Sequence, residues 1–164
     1  MERVMGLDPA TRNTGWAVLY DNGKIIASGI VVSKKTTPEE RIYEIGKEVM
    51  SIVAKWEPDR IYIEAPDDQG IVGRTTGTQA LLAAVTYFIA GTLQARGFKY
   101  ELVKVQSWKG SVKKAVIARR LAEIYGKALP RGRGDKWWEH DAIDAVGLAR
   151  WGLYGHPTRV SQST

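Results

Sequence analysis

The chain has no cysteine and only two histidines, His140 and His156. A disulfide framework and a thiolate metal site are therefore excluded, and a multi-histidine zinc centre is disfavoured. Any metal would sit on oxygen ligands. Long apolar runs are also lacking. Thr75 to Gln94 carries no charge, but its strongly apolar part, Ala80 to Leu93, is too short to span a bilayer. The N-terminal Met-Glu-Arg-Val runs straight into a strand-like segment without a signal-peptide pattern, so the expectation is a soluble, cytoplasmic protein with no membrane partner. Acidic charge is scarce in one place. Between Lys99 and Lys136 eleven bases face three acids, which makes this segment +8 in a chain of net +6. Charge that local suits a phosphate backbone.

The 164 residues suffice for one domain with a real core, expected over residues 1–154, with a loose polar tail over 155–164. Residues 2–8, 14–20 and 23–32 are consecutive strand candidates, and Asp21-Asn22-Gly23 signals a tight antiparallel hairpin between the last two. Thr37-Pro38-Glu39-Glu40 announces a helix with a Thr cap, Pro in its first turn and Glu three residues after the cap. Ile42, Ile45, Val49, Ile52, Val53 and Trp56 follow at helical spacing, and Pro58 closes the run. Arg60 to Ile63 is a fourth strand ending on Glu64. After a glycine-punctuated loop containing Arg74, an apolar helix is expected over about 78–96; it is either a central core helix or a subunit interface. Tyr100 to Val105 makes a fifth strand, Ser111 to Gly126 a helix edged by Lys113, Arg120 and Lys127, and Trp137 to Leu153 the last helix. The class is α/β, a five-stranded mixed sheet whose first three strands form an antiparallel meander, flanked by helices.

Four acids stand out in that order. Asp8 ends the first strand, where Pro9 and Asn13-Thr14-Gly15 supply turn chemistry; such an acid either starts a turn on its own backbone or faces a cation. Glu64 ends the fourth strand and is also followed closely by Pro. Asp141 and Asp144 lie three apart on the last helix, hence on one face, among Ala142, Ile143, Ala145 and Val146. The pair is a solvated acidic edge or a pair held together by a cation. The helix dipole contributes only ~0.3–1 kcal/mol to each, too little to justify burial. If the parallel strands extend the meander, Asp8 and Glu64 become neighbours. A cluster of carboxylates alone suits Mg²⁺ or Mn²⁺, and two such ions about 4 Å apart can hydrolyse a phosphodiester.

The motifs Gly-Leu-Asp-Pro with Asn-Thr-Gly-Trp-Ala, Ile-Glu-Ala-Pro, Lys-Val-Gln-Ser-Trp-Lys before a basic helix, and Asp-Ala-Ile-Asp-Ala resemble those of the RuvC family of Holliday junction resolvases. The resemblance spans about residues 3–153. It implies a ribonuclease H-like fold and a homodimer that nicks two strands of a four-way DNA junction symmetrically, using two Mg²⁺ or Mn²⁺ ions per site and leaving 5′-phosphate and 3′-hydroxyl ends. The family's catalytic, metal-holding acids fall on Asp8, Glu64, Asp141 and Asp144. Its basic helix start falls on Lys113 or Lys114. Arg74, Lys109, Lys113, Lys114, Arg120, Arg131 and Arg133 are the candidate nucleic-acid contacts, and the helix at about 78–96 is the candidate dimer face. Two features depart from bacterial members. The loop after the second acid, Asp67 to Val72, offers an aliphatic wedge in place of an aromatic one, and Ser-Trp-Lys is closer to phage-type relatives.

Rival readings stay open at this point. Another ribonuclease H-like nuclease would act on RNA, RNA–DNA hybrid or other branched DNA. A non-catalytic junction-binding protein would have no Mg²⁺-dependent activity. A sugar-kinase or actin-like ATPase shares the Gly-x-Asp strand, but it needs two lobes and a second phosphate loop. Trp108, Trp137 and Trp138 frame the basic segment and either stack on unpaired bases or pack in the core.

Overall fold

The computed structural model describes residues 1–66 and 77–159. Strands β1 (Arg3–Pro9), β2 (Asn13–Tyr20), β3 (Ile25–Val32), β4 (Arg60–Ala65) and β5 (Tyr100–Lys104) form one sheet in the order β3-β2-β1-β4-β5. The first three pair antiparallel as a meander, and β1-β4 and β4-β5 are parallel. This is the arrangement anticipated from the sequence. At the hairpin, Gly23 adopts φ +82°, a left-handed conformation that glycine reaches without a side-chain clash.

Helix α1 (Pro38–Trp56) begins as its motif predicts. The Thr37 hydroxyl accepts from the Glu40 N–H and donates to the Glu40 carboxylate. It ends at Glu57, in the left-handed conformation (φ 44°) with its N–H on Val53, one residue ahead of Pro58. Together with α2 (Gly77–Ala95), it covers one face of the sheet over Met5, Leu7, Val18, Ile61 and Ile63. Helices α4 (Lys114–Tyr125) and α5 (Asp141–Tyr154) cover the other face over Val4, Ala17, Leu19, Tyr62 and Val103. Alternation along β1 sends Met5 and Leu7 to the first layer and leaves Val4, Gly6 and Asp8 on the side of α5.

Most boundaries shift by a residue or two from the sequence expectation, and three of the differences bear on the site. The fifth strand stops at Lys104 and turns at once into a short helix, α3 (Val105–Trp108), because Trp108 is drawn into the core. The basic helix starts at Lys114, three residues later than expected, with Lys113 in extended conformation as its cap. The last helix starts at Asp141 and not near Trp137. Residues Gly134–Glu139 form a 3-10 turn, and His140 is extended, its Nδ1 accepting from the Ala142 N–H. A histidine N-cap therefore sets the helix start. Of the expected tail, residues 155–159 lie against α5: buried Arg150 donates to the carbonyls of Pro157 and Arg159 and to the Tyr125 hydroxyl. Residues 160–164 lie outside the described residues. Among the described residues no helix is long and apolar enough to cross a membrane.

Two glycines decide how close α5 comes to the sheet. A Cβ on Gly6 would lie 2.1 Å from the carbonyl oxygen of Ala145, and one on Gly15 would lie 2.2 Å from that of Asp141. Helix and strands thus meet backbone to backbone at the first turns of α5. Gly15→Ala is expected to cost about 1–3 kcal/mol through overpacking, a fall in Tm of several degrees in a thermal melt. Gly91→Ala, inside α2 with open space around it, serves as the control and should leave Tm unchanged or raise it slightly, since alanine favours a helix interior.

Candidate active site

The parallel register pairs Leu7 with Ile63, so the next residues, Asp8 and Glu64, leave adjacent strands at the same edge of the sheet. The first turn of α5 lies over the same edge because Gly15, paired with Asp8, admits the backbone of Asp141. Asp144, one turn further on, is buried at 5% exposure. Asp8, Glu64 and Asp144 therefore form one electrostatic group. Burial pushes the Asp8 carboxyl well above the ordinary carboxylate value, and the charges of Glu64 and Asp144 push it further. Glu64 is also raised, by burial first; Lys109 and a hydrogen bond from Trp108 pull against that, and Asp144 adds to it.

Two lysines answer this charge. Lys109, just past α3, and Lys114, at the start of α4, place their Nζ atoms 3.3 and 3.1 Å from Asp144 Oδ2. Burial works against the charge on Lys114, but Asp144, Asp8 and Asp141 outweigh it and hold its pKa above the ordinary value. Of the two positions left open for the basic helix start, Lys114 is the one turned to the acids, while Lys113 is exposed. Asp141 stands at the rim, where the Asn13 side-chain amide donates to its Oδ2 at 3.4 Å. His140, whose pKa burial lowers, is engaged as the cap of α5.

The donor set is oxygen only, which suits a hard divalent cation. Asp144 Oδ1 is buried without a hydrogen-bond partner, and Asp8 sits among like charges. Both are conditions that an added positive charge relieves, so the residues fit Mg²⁺ or Mn²⁺. Among the described residues, no three His, Asp or Glu side chains are gathered closely enough to hold an ion as they stand. The lysines occupy Asp144 instead.

The remaining predicted basic residues spread outward from this point. Lys113, Arg120, Arg131 and Arg133 are exposed along α4 and the loop that follows it, and Arg131 stacks on the Trp137 ring at 4.8 Å. Arg74 and the loop from Asp67 to Val72 lie outside the described residues. Trp137 and Trp138 are partly buried and meet edge to face, and Trp108 is buried at 3% exposure. Sequence reasoning missed two supporting contacts, Asn13 to Asp141 and the Trp108 indole to Glu64. Both residues lie within motifs already singled out, but only the fold reveals their partners.

Crowded carboxylates predict a stability signature. Asp8→Asn should raise Tm in EDTA by about 2–4 °C, the equivalent of ~1 kcal/mol in a domain of this size. Added Mg²⁺ should stabilise the parent protein and leave the variant unmoved, as calorimetry would show.

Comparison with known proteins finds related sequences and folds. The family model described as crossover junction endodeoxyribonuclease RuvC matches residues 4–69. The crossover junction endodeoxyribonuclease RuvC of Prochlorococcus marinus (strain NATL2A) is 35% identical over 167 residues, covering 93% of this chain and 98% of that protein. The RuvC of Methylococcus capsulatus is 29% identical over 167 residues, covering 96% and 94%. Thermus thermophilus RuvC, solved in complex with a Holliday junction substrate, matches with a TM-score of 0.71 at 16% identity, covering 94% of this chain and 95% of that one. The yeast mitochondrial Holliday junction resolvase Ydc2 matches with a TM-score of 0.66 at 12% identity, covering 93% and 78%. These structural likenesses show the fold, which is ribonuclease H-like.

Proposed function

The chain belongs to the RuvC family of crossover junction endodeoxyribonucleases, and on that premise we propose that it resolves four-way DNA junctions by paired, symmetric nicks. The observation that carries this reading is the meeting of Asp8, Glu64 and Asp144, from β1, β4 and α5, with Lys109 and Lys114 at one edge of the sheet. In a family of DNA endonucleases, a buried acid cluster flanked by lysines and a basic helix is suited to phosphodiester hydrolysis.

Asp8, Glu64, Asp141 and Asp144 are the proposed catalytic acids and would hold two Mg²⁺ or Mn²⁺ ions. When bound, these supply the positive charge that activates a water and stabilises the leaving oxygen. Asp8, which feels the charge of both Glu64 and Asp144, would be central among the residues that hold the ions. Lys109 and Lys114 hold Asp144 in place and present cationic charge toward the phosphate. Water adds to phosphorus as the bond to the 3′ oxygen breaks, which leaves 5′-phosphate and 3′-hydroxyl ends. Lys113, Arg120, Arg131 and Arg133, with Arg74 beyond the described residues, would follow the DNA backbone.

A homodimer completes the reading, because a four-way junction is close to two-fold symmetric. Helix α2 supports it. Its inner side carries Val85, Ile89, Ala90 and Leu93 into the core, while Tyr87 and Phe88 stay 50% and 40% exposed. Tyr43 on α1 adds a third exposed aromatic, at 63%. We propose that a second copy covers this face.

The test is a nicking assay on a synthetic immobile four-way junction, with matched duplex, flap and RNA–DNA hybrid substrates, with and without Mn²⁺. The junction should be cut in preference and only with metal; preference for the hybrid would overturn the assignment. Asp8→Asn should lose several kcal/mol of transition-state stabilisation, about 10³-fold or more in rate, while gel-shift binding of the junction is retained. An Asp8→Asn protein that nicks like the parent would rule out the acid cluster as the catalyst.

A further inference from the structure

Trp108 makes a contact that composition and periodicity do not foreshadow. Its indole N–H donates to Glu64 Oε2 at 3.0 Å from a fully packed position. The ring is held from two sides. It rests on α5 at Gly147, where a Cβ would lie 2.9 Å from Cζ3, and it sits in the core cluster beneath α4 and α5. Its backbone leaves β5, the neighbour of β4, through the short helix α3, and Val103 of β5 pairs with Glu64 itself. Lys109 Nζ lies 4.7 Å over the same ring and 3.3 Å from Asp144 Oδ2. One side chain therefore touches Glu64 through its edge and Lys109 through its face.

We propose that Trp108 is a positioning residue for Glu64, its indole pinning one carboxylate oxygen so that the other is turned to the cation. The inference rests on the metal-dependent reading given above. An indole suits this task chemically. It donates one hydrogen bond and accepts none, so it does not compete with the carboxylate for a cation. It is neutral, so it adds no repulsion to an incoming ion, as a lysine or arginine in the same place would. Its ring is locked by packing, so the hydrogen bond fixes the torsion of the Glu64 carboxylate, which otherwise turns over a broad, two-fold range. Supporting groups of this kind typically govern metal affinity by 10–100-fold.

Trp108→Phe removes the N–H and keeps an aromatic side chain in the core, although its smaller ring gives up the contact of Cζ3 with Gly147, so the readouts must separate lost packing from a lost hydrogen bond. Mn²⁺ binding to the protein alone, read from the electron paramagnetic resonance signal of free Mn²⁺, should weaken by about 10–100-fold. The Mn²⁺ concentration that half-saturates junction nicking should rise in parallel, with the rate restored at saturating Mn²⁺, and junction binding in EDTA should not change. A merely structural role would lower rate and junction binding together without rescue by metal. Unchanged Mn²⁺ affinity in a folded Trp108→Phe protein overturns the proposal. If that variant does not fold, the indole N–H resonances of ¹⁵N-labelled parent protein decide. The Trp108 signal should resist exchange with solvent and be broadened by substoichiometric Mn²⁺ ahead of the other indoles. A Trp108 signal that exchanges freely and ignores Mn²⁺ also overturns it. A parent protein that binds no Mn²⁺ and nicks no junction defeats the metal-dependent reading itself, whereas normal parent behaviour with an unaltered variant removes Trp108 alone.

Discussion

Direct backbone contact between α5 and strands β1 and β2 is the constraint on which the site depends. Gly6 and Gly15 have no side chain to hold the helix away, so the carbonyls of Asp141 and Ala145 lie against strand backbone. A helix packed through ordinary side chains stands several ångströms further out. At that distance Asp144 would not share an electrostatic field with Asp8 and Glu64. His140, capping Ala142, fixes where the helix begins and thereby which residues occupy its first turn.

Bringing three acids together is unfavourable by itself, and the surroundings are arranged around that cost. Burial and mutual repulsion raise Asp8 and Glu64, while Lys109 and Lys114 converge on Asp144 from two separate elements. Asp144 Oδ1 is nevertheless left without a partner. A protein selected only for stability would replace such a group. Local conflict of this kind collects where a chain binds or reacts. Membership of a family of junction endonucleases gives that conflict a purpose in the proposed function.

The sheet also divides its two layers between different tasks. The layer of α1 and α2 is apolar inside and keeps Tyr43, Tyr87 and Phe88 outside, a surface proposed for a second copy. The layer of α4 and α5 carries the acids at one end and exposed bases along α4 and the loop after it, the side proposed for DNA. Because the layers lie on opposite faces of one sheet, dimer contact and DNA contact need not compete for surface. Trp108 belongs to the second layer and ties β4, α5 and Lys109 together through a single ring.

Much of this was legible in the residues. The Asp21-Asn22-Gly23 hairpin, the Thr37–Glu40 capping box and the five strands follow from local chemistry, and the structure places them where that chemistry predicts. Local rules failed where a distant partner decides, or where a cap forms that spacing does not announce. Trp137 and Trp138 look like the start of a helix, yet they form a 3-10 turn, because the helix is capped by His140. Val105 continues the strand pattern but turns into α3 because Trp108 has a place in the core. Spacing alone did not distinguish Lys113 from Lys114; the position of Asp144 across the layer did. The sequence by itself determined the strands, the Thr37 cap and the separation of charge, since each follows from neighbours in the chain, and it singled out the four acids as candidates. Which lysine meets Asp144, and which indole holds Glu64, were decided only when β4, β5, α4 and α5 came together. Those contacts join residues 30 to 44 positions apart, whose proximity no local preference encodes.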